Sequence, residues 1–153
     1  MPNLLSWTLS FAFLGIYWNN HHHLLHAAGR INGQVLWANQ HLLFWLCLVP
    51  FVANWLGQSD FAMIPTALYG FVFLLAGVAY FVLQRALIVA DGPNSKLSSA
   101  IGRDWKGKAS LILYALAIPV VFIYTRLADV LYVVVALMWF VPDRRIENYR
   151  NHP

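Results

Sequence analysis

Long apolar stretches that contain almost no charged residues constrain this chain more than any other feature. Of its 153 residues, 60% are hydrophobic and only 10% are charged, whereas about a quarter of the residues in an ordinary soluble domain are charged. A soluble fold of this size would need many more polar side chains to cover its surface. The sequence therefore predicts an integral membrane protein, whose helices meet lipid rather than water.

The apolar residues fall into about five segments, and we expect each to cross the membrane as a helix because a spanning helix needs about 20 mostly apolar residues. Segments D and E are the shortest, and the alternative that they form one re-entrant hairpin stays open. The polar stretches 57–60, 91–108 and 125–129 connect segments B to E, and a polar tail follows at 142–153. The segments are A (3–18, with a polar extension over 19–30 that stays helical for several residues), B (35–56), C (61–83, with a helical extension over 84–90), D (109–124) and E (130–141).

No internal repeat or low-complexity linker interrupts these segments. The sequence thus predicts an all-α, polytopic membrane bundle in which residues 1–153 form a single transmembrane helical domain. Ala67, Gly70 and Gly77 place small residues along segment C, which permits close helix approach. Pro50 and Pro119 lie inside segments B and D, where a proline kinks a helix and frees a carbonyl that needs another partner.

The basic residues predict which ends of the segments face the cytoplasm, because loops on that side carry an excess of Lys and Arg. The C–D connection and the tail are basic, whereas the turn 57–60 has no Lys or Arg and the link 125–129 has only Arg126. We therefore expect the C–D connection, the tail and the A–B loop with Arg30 to face the cytoplasm. The other basic residues on that side are Arg85, Lys96, Arg103, Lys106, Lys108, Arg144, Arg145 and Arg150.

This orientation leaves the amino end of segment A outside the cell. Such a start is unusual without a signal peptide, and the opening Met-Pro-Asn has no basic n-region. We therefore expect that one further helix precedes segment A in the functional protein. The alternative is a five-span protein whose first helix inserts with its amino terminus outside.

The densest polar cluster of the chain follows segment A. His22 and His26 are four residues apart, so on a helix they share a face one turn beyond Trp18. Two histidines at this spacing can chelate a metal ion, but a complete site needs three or four ligands. Only His41 and His152 could add further imidazoles, so a metal centre is the weakest of three hypotheses for the cluster.

The second hypothesis is a polar network that ties segment A to segment B at the cytoplasmic surface. Asn39 or His41 of segment B would supply hydrogen-bond partners for the imidazoles there. The third hypothesis is that His21, His22 or His26 lines an ion path or senses pH, because imidazole titrates near neutrality.

Several functional classes are disfavoured by what the segments do not contain. No predicted segment has a charged residue near its middle, although proton pumps and voltage sensors depend on such residues. No nucleophile with a base and an orienting acid can be assembled, so we expect neither an enzyme nor a cofactor. The net charge of +4 is not arranged on a basic face with stacking aromatics, so we expect no nucleic-acid binding. A hydrophobically constricted pore, a packing scaffold or one subunit of a larger assembly remains.

Several motifs together resemble the prokaryotic branch of the transmembrane protein 175 family of potassium channels. The resemblance covers essentially the whole chain, and the pattern Trp-x-x-His-His combined with Asn39 and the Pro50–Phe51 pair is its most specific part. The motifs are Gly-Ile-Tyr-Trp-Asn-Asn-His-His-His-Leu-Leu-His (15–26), Leu-Trp-Ala-Asn (36–39), His-Leu-Leu-Phe (41–44), Val-Pro-Phe (49–51), Ile-Gly-Arg-Asp-Trp-Lys-Gly-Lys (101–108) and Trp-Phe-Val-Pro-Asp-Arg-Arg (139–145).

The resemblance implies a passive potassium channel in the cell membrane, with six spans per subunit and a homotetramer around a central pore. The partners are then the potassium ion and the lipid bilayer. The family's first helix carries an Arg-x-x-x-Phe-Ser-Asp signature and lines the pore, and this signature does not occur in the sequence. We therefore expect segments A to E to correspond to the family's second to sixth helices. A non-conducting scaffold protein, or a histidine-ligated membrane metalloenzyme, is the alternative function.

The resemblance also implies roles for individual residues. Trp18 and either His21 or His22 match the motif of the second helix, and Asn39 matches that of the third. In the family these positions belong to a polar network near the cytoplasmic mouth of the pore. His26 and His41 are assigned to the same network, and the sequence does not decide which of the three consecutive histidines occupies the motif position.

Overall fold

The computed structural model describes residues 2–92, 95, 98 and 104–140. Within these residues the chain forms five α-helices, so the predicted all-α fold is confirmed. Consecutive helices pack against each other, and the third helix also contacts the fifth. The helices are α1 (Pro2–Ala27), α2 (Gly33–Gln58), α3 (Met63–Asp91), α4 (Trp105–Val121) and α5 (Thr125–Phe140).

Two of the described helices, α2 and α3, are long and apolar enough to cross a membrane. They contain 26 and 29 residues. Helices α4 and α5 have 17 and 16 residues and are therefore each about 25 Å long at 1.5 Å per residue. This is slightly less than the hydrocarbon thickness of a typical bilayer.

The predicted boundaries agree with the structure for the first three helices, including the helical extensions after segments A and C. The predicted link 125–129 is wrong, because α5 already begins at Thr125 and Asp129 lies within it. The chain reverses instead at three exposed apolar residues, 122–124. There the amides of Ile123 and Tyr124 donate to the carbonyl of Val120. Hydropathy does not mark this reversal because the turn is itself apolar.

The other connections also differ in detail from the predictions. Helix α4 begins four residues earlier than predicted because Asp104 caps it, accepting a hydrogen bond from the amide of Gly107 at 2.9 Å. The turn between α2 and α3 begins after Gln58, and Asp60 and Phe61 adopt left-handed backbone conformations in it. The basic residues Lys96, Arg103, Arg144, Arg145 and Arg150 lie outside the described residues.

Two apolar clusters fill the bundle, and α2 and α3 run through both. The first cluster joins the end of α1 to the start of α2 and the second half of α3, with Leu24, Leu42 and Leu83 fully buried. The second cluster joins the end of α2 and the start of α3 to α4 and α5. The buried residues of α2 recur every three or four positions, which gives this helix one continuous packed stripe.

Aromatic rings from three helices surround Phe73 in the second cluster. Its ring centroid lies 5.8 Å from that of Phe13 and 6.1 Å from that of Tyr17, both in α1. On the other side, the ring centroids of Tyr69 and Tyr114 lie 4.7 and 5.7 Å away. Because these rings belong to α1, α3 and α4, they hold the apolar half of α1 against the bundle.

The connection between α1 and α2 is fastened to the end of α3 by one carboxylate. The oxygens of Asp91 accept hydrogen bonds from the amides of Gly29 at 2.9 Å and Arg30 at 2.7 Å. The α1–α2 connection and the end of α3 therefore share one end of the bundle. The α2–α3 turn and the α4–α5 turn meet at the opposite end, where Leu56, Tyr69 and Val121 belong to the same buried cluster.

Gly70 tests whether close packing against α3 matters, because a Cβ added there would overlap the ring and hydroxyl of Tyr132. We expect Gly70→Ala to lower the free energy of unfolding in detergent by about 1–3 kcal/mol, as overpacking does elsewhere. Gly33→Ala, at the start of α2, is the matched control, since nothing lies within 4 Å of the added Cβ. It should leave stability unchanged or raise it slightly through better helix propensity. Equal melting temperatures for the two variants would contradict this packing.

Candidate functional site

The predicted polar network lies where the end of α1 meets the first turns of α2. His21 and Asn39 face each other there, with Nε2 of His21 at 2.6 Å from Oδ1 of Asn39. An amide oxygen can only accept, so His21 donates this hydrogen bond from a protonated Nε2. The contact joins two residues that are 18 positions apart in the chain and links the two helices directly.

The face of α1 that carries His21 is buried. His21 and Asn20 are each 8% exposed, and Leu24, one turn further, is completely buried. The amide of Asn20 bonds to the carbonyl of Ile16 in its own helix at 2.9 Å. The hydroxyl of Tyr80 in α3 donates to the backbone carbonyl of Asn20 at 3.4 Å. Polar groups on this face are thus paired with groups of α1, α2 and α3, as burial requires.

The next histidine in the sequence points away from the bundle. His22 is exposed and stacks on Trp18, with ring centroids 5.0 Å apart and planes within 17° of parallel. The ring of His26 meets His22 edge-on at 4.4 Å. Successive side chains of an α-helix are rotated by about 100° around its axis, so the three consecutive histidines point in different directions. His21 is buried, His22 is exposed and His23 is half-buried.

His22 lies in the polar end of α1, beyond the apolar residues that we expect to cross the membrane. Partial desolvation by its neighbours lowers the pKa of His22 below its usual value of 6.5. Repulsion from positive charge on His26, His23 and His21 lowers this pKa further. His22 is therefore mostly neutral at neutral pH and stacks on Trp18 as an uncharged ring.

His41 does not reach the His21–Asn39 pair. It is exposed on α2, and its Nε2 accepts a hydrogen bond from the indole N–H of Trp45 at 3.0 Å, within the same helix. Of the predicted site residues, the structure therefore brings together two groups. One is the pair of buried His21 and half-buried Asn39, and the other is the exposed group of Trp18, His22 and His26.

Among the described residues, no third metal ligand accompanies His22 and His26. Within residues 2–92 and 104–140, no group of three or more His, Cys, Asp or Glu side chains could hold a metal ion. His22 and His26 form only a pair, and His152 lies outside the described residues. Two imidazoles are fewer than structural or catalytic zinc sites use.

Sequence reasoning missed polar contacts that brace the same end of the bundle. Asp91 binds the α1–α2 connection, and Asp104 accepts a hydrogen bond from Nε2 of Gln84 at 2.9 Å in addition to capping α4. An aspartate just before a helix is a recognised N-cap signal, so the role of Asp104 could have been found. No local signal marks Asp91, whose partners lie more than 60 residues earlier.

Comparison with known proteins addresses the resemblance noted for residues 15–51. Residues 1–50 match the family model described as endosomal/lysosomal potassium channel TMEM175. Over 148 residues the chain is 46% identical to a protein of Chryseobacterium sp. (strain P1-3) that is named a potassium channel. The alignment covers 97% of this chain and 77% of that relative. This chain belongs to the TMEM175 family. No solved structure matches it significantly.

Membership in the TMEM175 family confirms the predicted resemblance and bears on two further predictions. A family of ion channels works in membranes, so the protein is a membrane protein, as its apolar helices indicate. It is not an enzyme, which agrees with the absence of a catalytic constellation in the sequence.

The His21–Asn39 bond predicts different effects for neighbouring histidines. His21→Ala and Asn39→Ala should each lower the unfolding free energy in detergent by about 1–3 kcal/mol, because the first leaves half-buried Asn39 unpaired and the second leaves buried His21 unpaired. The double variant should lose little more than either single variant, since both remove the same bond. His22→Ala, the matched control, should change stability by less than about 0.5 kcal/mol because its ring is exposed. Additive losses, or a larger effect of His22→Ala, would contradict the geometry.

Proposed function

We propose that this protein is a subunit of a potassium channel that lets potassium ions pass down their gradient through the cell membrane, without a cofactor. The observation that carries the proposal is the 46% identity, over 97% of the chain, to a relative named a potassium channel. The sequence motifs of the family support the same function, because they occur in α1 and α2, around the start of α4 and at the end of α5. No catalytic arrangement competes with it among the described residues.

A homotetramer with a central pore is the second part of the proposal. It is supported by a stripe of exposed residues on α1, spaced three or four apart so that they share one face. The stripe contains Phe11, 68% exposed, and Trp18, 62% exposed, together with Gly15, His22 and His26. Large aromatic side chains on an exposed helix face are suited to contact with other helices or lipid. In the assembled channel this stripe faces the pore-lining region and the neighbouring subunits.

The proposed topology is multi-pass, with the α1–α2 connection and the end of α3 on the cytoplasmic side. Basic residues of the described chain gather at this end, namely Arg30, Arg85, Lys106 and Lys108. The α2–α3 turn and the α4–α5 turn then face outward, and Arg126 is the basic residue near that side. The asymmetry follows the rule that short cytoplasmic connections carry the excess of Lys and Arg.

In this arrangement we assign the family's motif position to His21 rather than His22. The support is the 2.6 Å bond to Asn39, the residue that matches the motif of the next helix. His21 and Asn39 hold α1 in register with α2, while Trp18, His22 and His26 present an aromatic face at the cytoplasmic mouth of the pore. His41, bonded to Trp45, borders this network from the outer side of α2.

Potassium flux from reconstituted liposomes tests the proposed activity. Vesicles that hold the purified protein and a high internal potassium concentration should lose potassium faster than empty vesicles prepared in parallel. Valinomycin, added at the end, releases the remaining potassium and gives the total. The same measurement is made on the chain extended at its amino end by a helix with the family's Arg-x-x-x-Phe-Ser-Asp signature, and absence of flux from the folded, correctly inserted extended protein would favour the alternative of a non-conducting scaffold.

Mass measurement in detergent tests the assembly. Native mass spectrometry should give four times the 17.4 kDa of the single chain. Trp18→Ala should shift the population toward smaller species because Trp18 lies on the proposed contact face of α1. Trp37→Ala is the matched control, an equally large and 78% exposed tryptophan on α2, and it should leave the tetramer intact. A stable monomer for the unaltered chain would contradict the proposed assembly.

A further inference from the structure

A second polar feature lies at the opposite end of the bundle from the histidines. A cavity of about 370 Å³ opens there between α1, the end of α2, the start of α3 and α5. Its walls are mainly apolar and aromatic, with a single carboxylate among them. The lining residues that matter here are Ser10, Phe13, Phe61, Tyr69, Asp129 and Tyr132.

The carboxylate of Asp129 is buried although it has nothing to bond to. Both of its oxygens are shielded from solvent, and neither has a hydrogen-bond partner among the described residues. An unpaired buried carboxylate is costly because it loses its hydration without gaining a partner. Native structures contain few such groups, so the position of Asp129 in the wall of a cavity calls for a ligand that supplies charge and donors.

The charged and polar neighbours of Asp129 do not supply this partner. Arg126, one turn earlier on α5, is exposed and attracts the carboxylate only through space. The hydroxyl of Tyr132 donates instead to the backbone carbonyl of Thr66 at 3.2 Å. Asp129 is one of the residues that line the cavity, so a partner for its carboxylate has to come from there.

We propose that this cavity binds a small apolar amine, with its protonated nitrogen against Asp129 and its apolar part against the aromatic wall. An ammonium group provides both the opposite charge and the N–H donors that the carboxylate requires. The rings of Phe13, Phe61 and Tyr69 line the cavity, and aromatic rings attract cations and bury apolar surface. The volume lies in the range of cavities that hold small organic molecules.

Other occupants fit this cavity less well. A metal ion needs several oxygen ligands to replace its water shell, and walls that are mainly apolar offer few. A lipid chain would fill the apolar volume but leave Asp129 unpaired. The cavity lies at the end of the bundle that we propose to face outward, so amine binding there does not depend on potassium conduction, for which we propose the histidine end and the exposed face of α1.

Isothermal titration of the detergent-purified protein with 2-phenylethylamine tests the proposal, with 2-phenylethanol as the uncharged ligand of similar shape. We expect saturable binding of one amine per chain and at least tenfold weaker binding of the alcohol. Equal affinity for the two ligands would overturn the proposal and indicate a purely apolar pocket. This comparison uses the unaltered protein, so it does not depend on how any variant folds.

Three variants locate the site. Asp129→Asn should weaken amine binding at least tenfold, whereas Asp60→Asn, which alters an exposed carboxylate at the same end of the bundle, should leave it unchanged. Arg126→Gln should maintain or strengthen binding because it removes a competing positive charge. The proposal fails if Asp129→Asn binds the amine as well as the unaltered chain does. It also fails if Asp60→Asn loses as much affinity as Asp129→Asn, since the ligand would then be held by surface charge.

Discussion

The need to satisfy polar groups inside an apolar environment organises this protein. Within lipid, backbone groups find partners only in closed structures such as helices, which is why the described chain is almost entirely helical. Side-chain polarity is concentrated near the ends, where pairs such as His21–Asn39 and the contacts of Asp91 join neighbouring segments. Each of these bonds connects parts of the chain that apolar packing alone would align only loosely.

Helix α3 joins the helices that make these local contacts into one bundle. It packs against α2, α4 and α5, and Gly70 makes room for the ring of Tyr132 from α5. The hydroxyl of Tyr132 then bonds to the carbonyl of Thr66. Small residues and tyrosines therefore work together, because close approach brings a hydroxyl within reach of a buried carbonyl. The histidine end and the carboxylate cavity at the other end are both built on this central helix and its neighbour α2.

Apolar patterning predicted most of the helices but not every boundary. The helices of segments A to C lie nearly where they were predicted, because a long apolar run followed by polar residues specifies both a helix and its approximate end. The α4–α5 turn was missed, since residues 122–124 are apolar and Thr125 to Asp129 read as a polar link although they are helical. That error concealed Asp129, which tertiary packing carries into a buried wall. Asp129 is the fifth of the 16 residues of α5, so it does not contradict the prediction that no segment has a charged residue near its middle.

By itself the sequence determined the membrane setting, the all-α class and the membership of the TMEM175 family, because composition and motifs depend only on which residues the chain contains and on their order. Only the tertiary structure decided which of three consecutive histidines meets Asn39, and where the carboxylates of Asp91 and Asp129 lie. The side chains of adjacent residues in a helix point in different directions. The direction that becomes buried depends on rotation of the helix against partners that are distant in sequence, which no local pattern encodes.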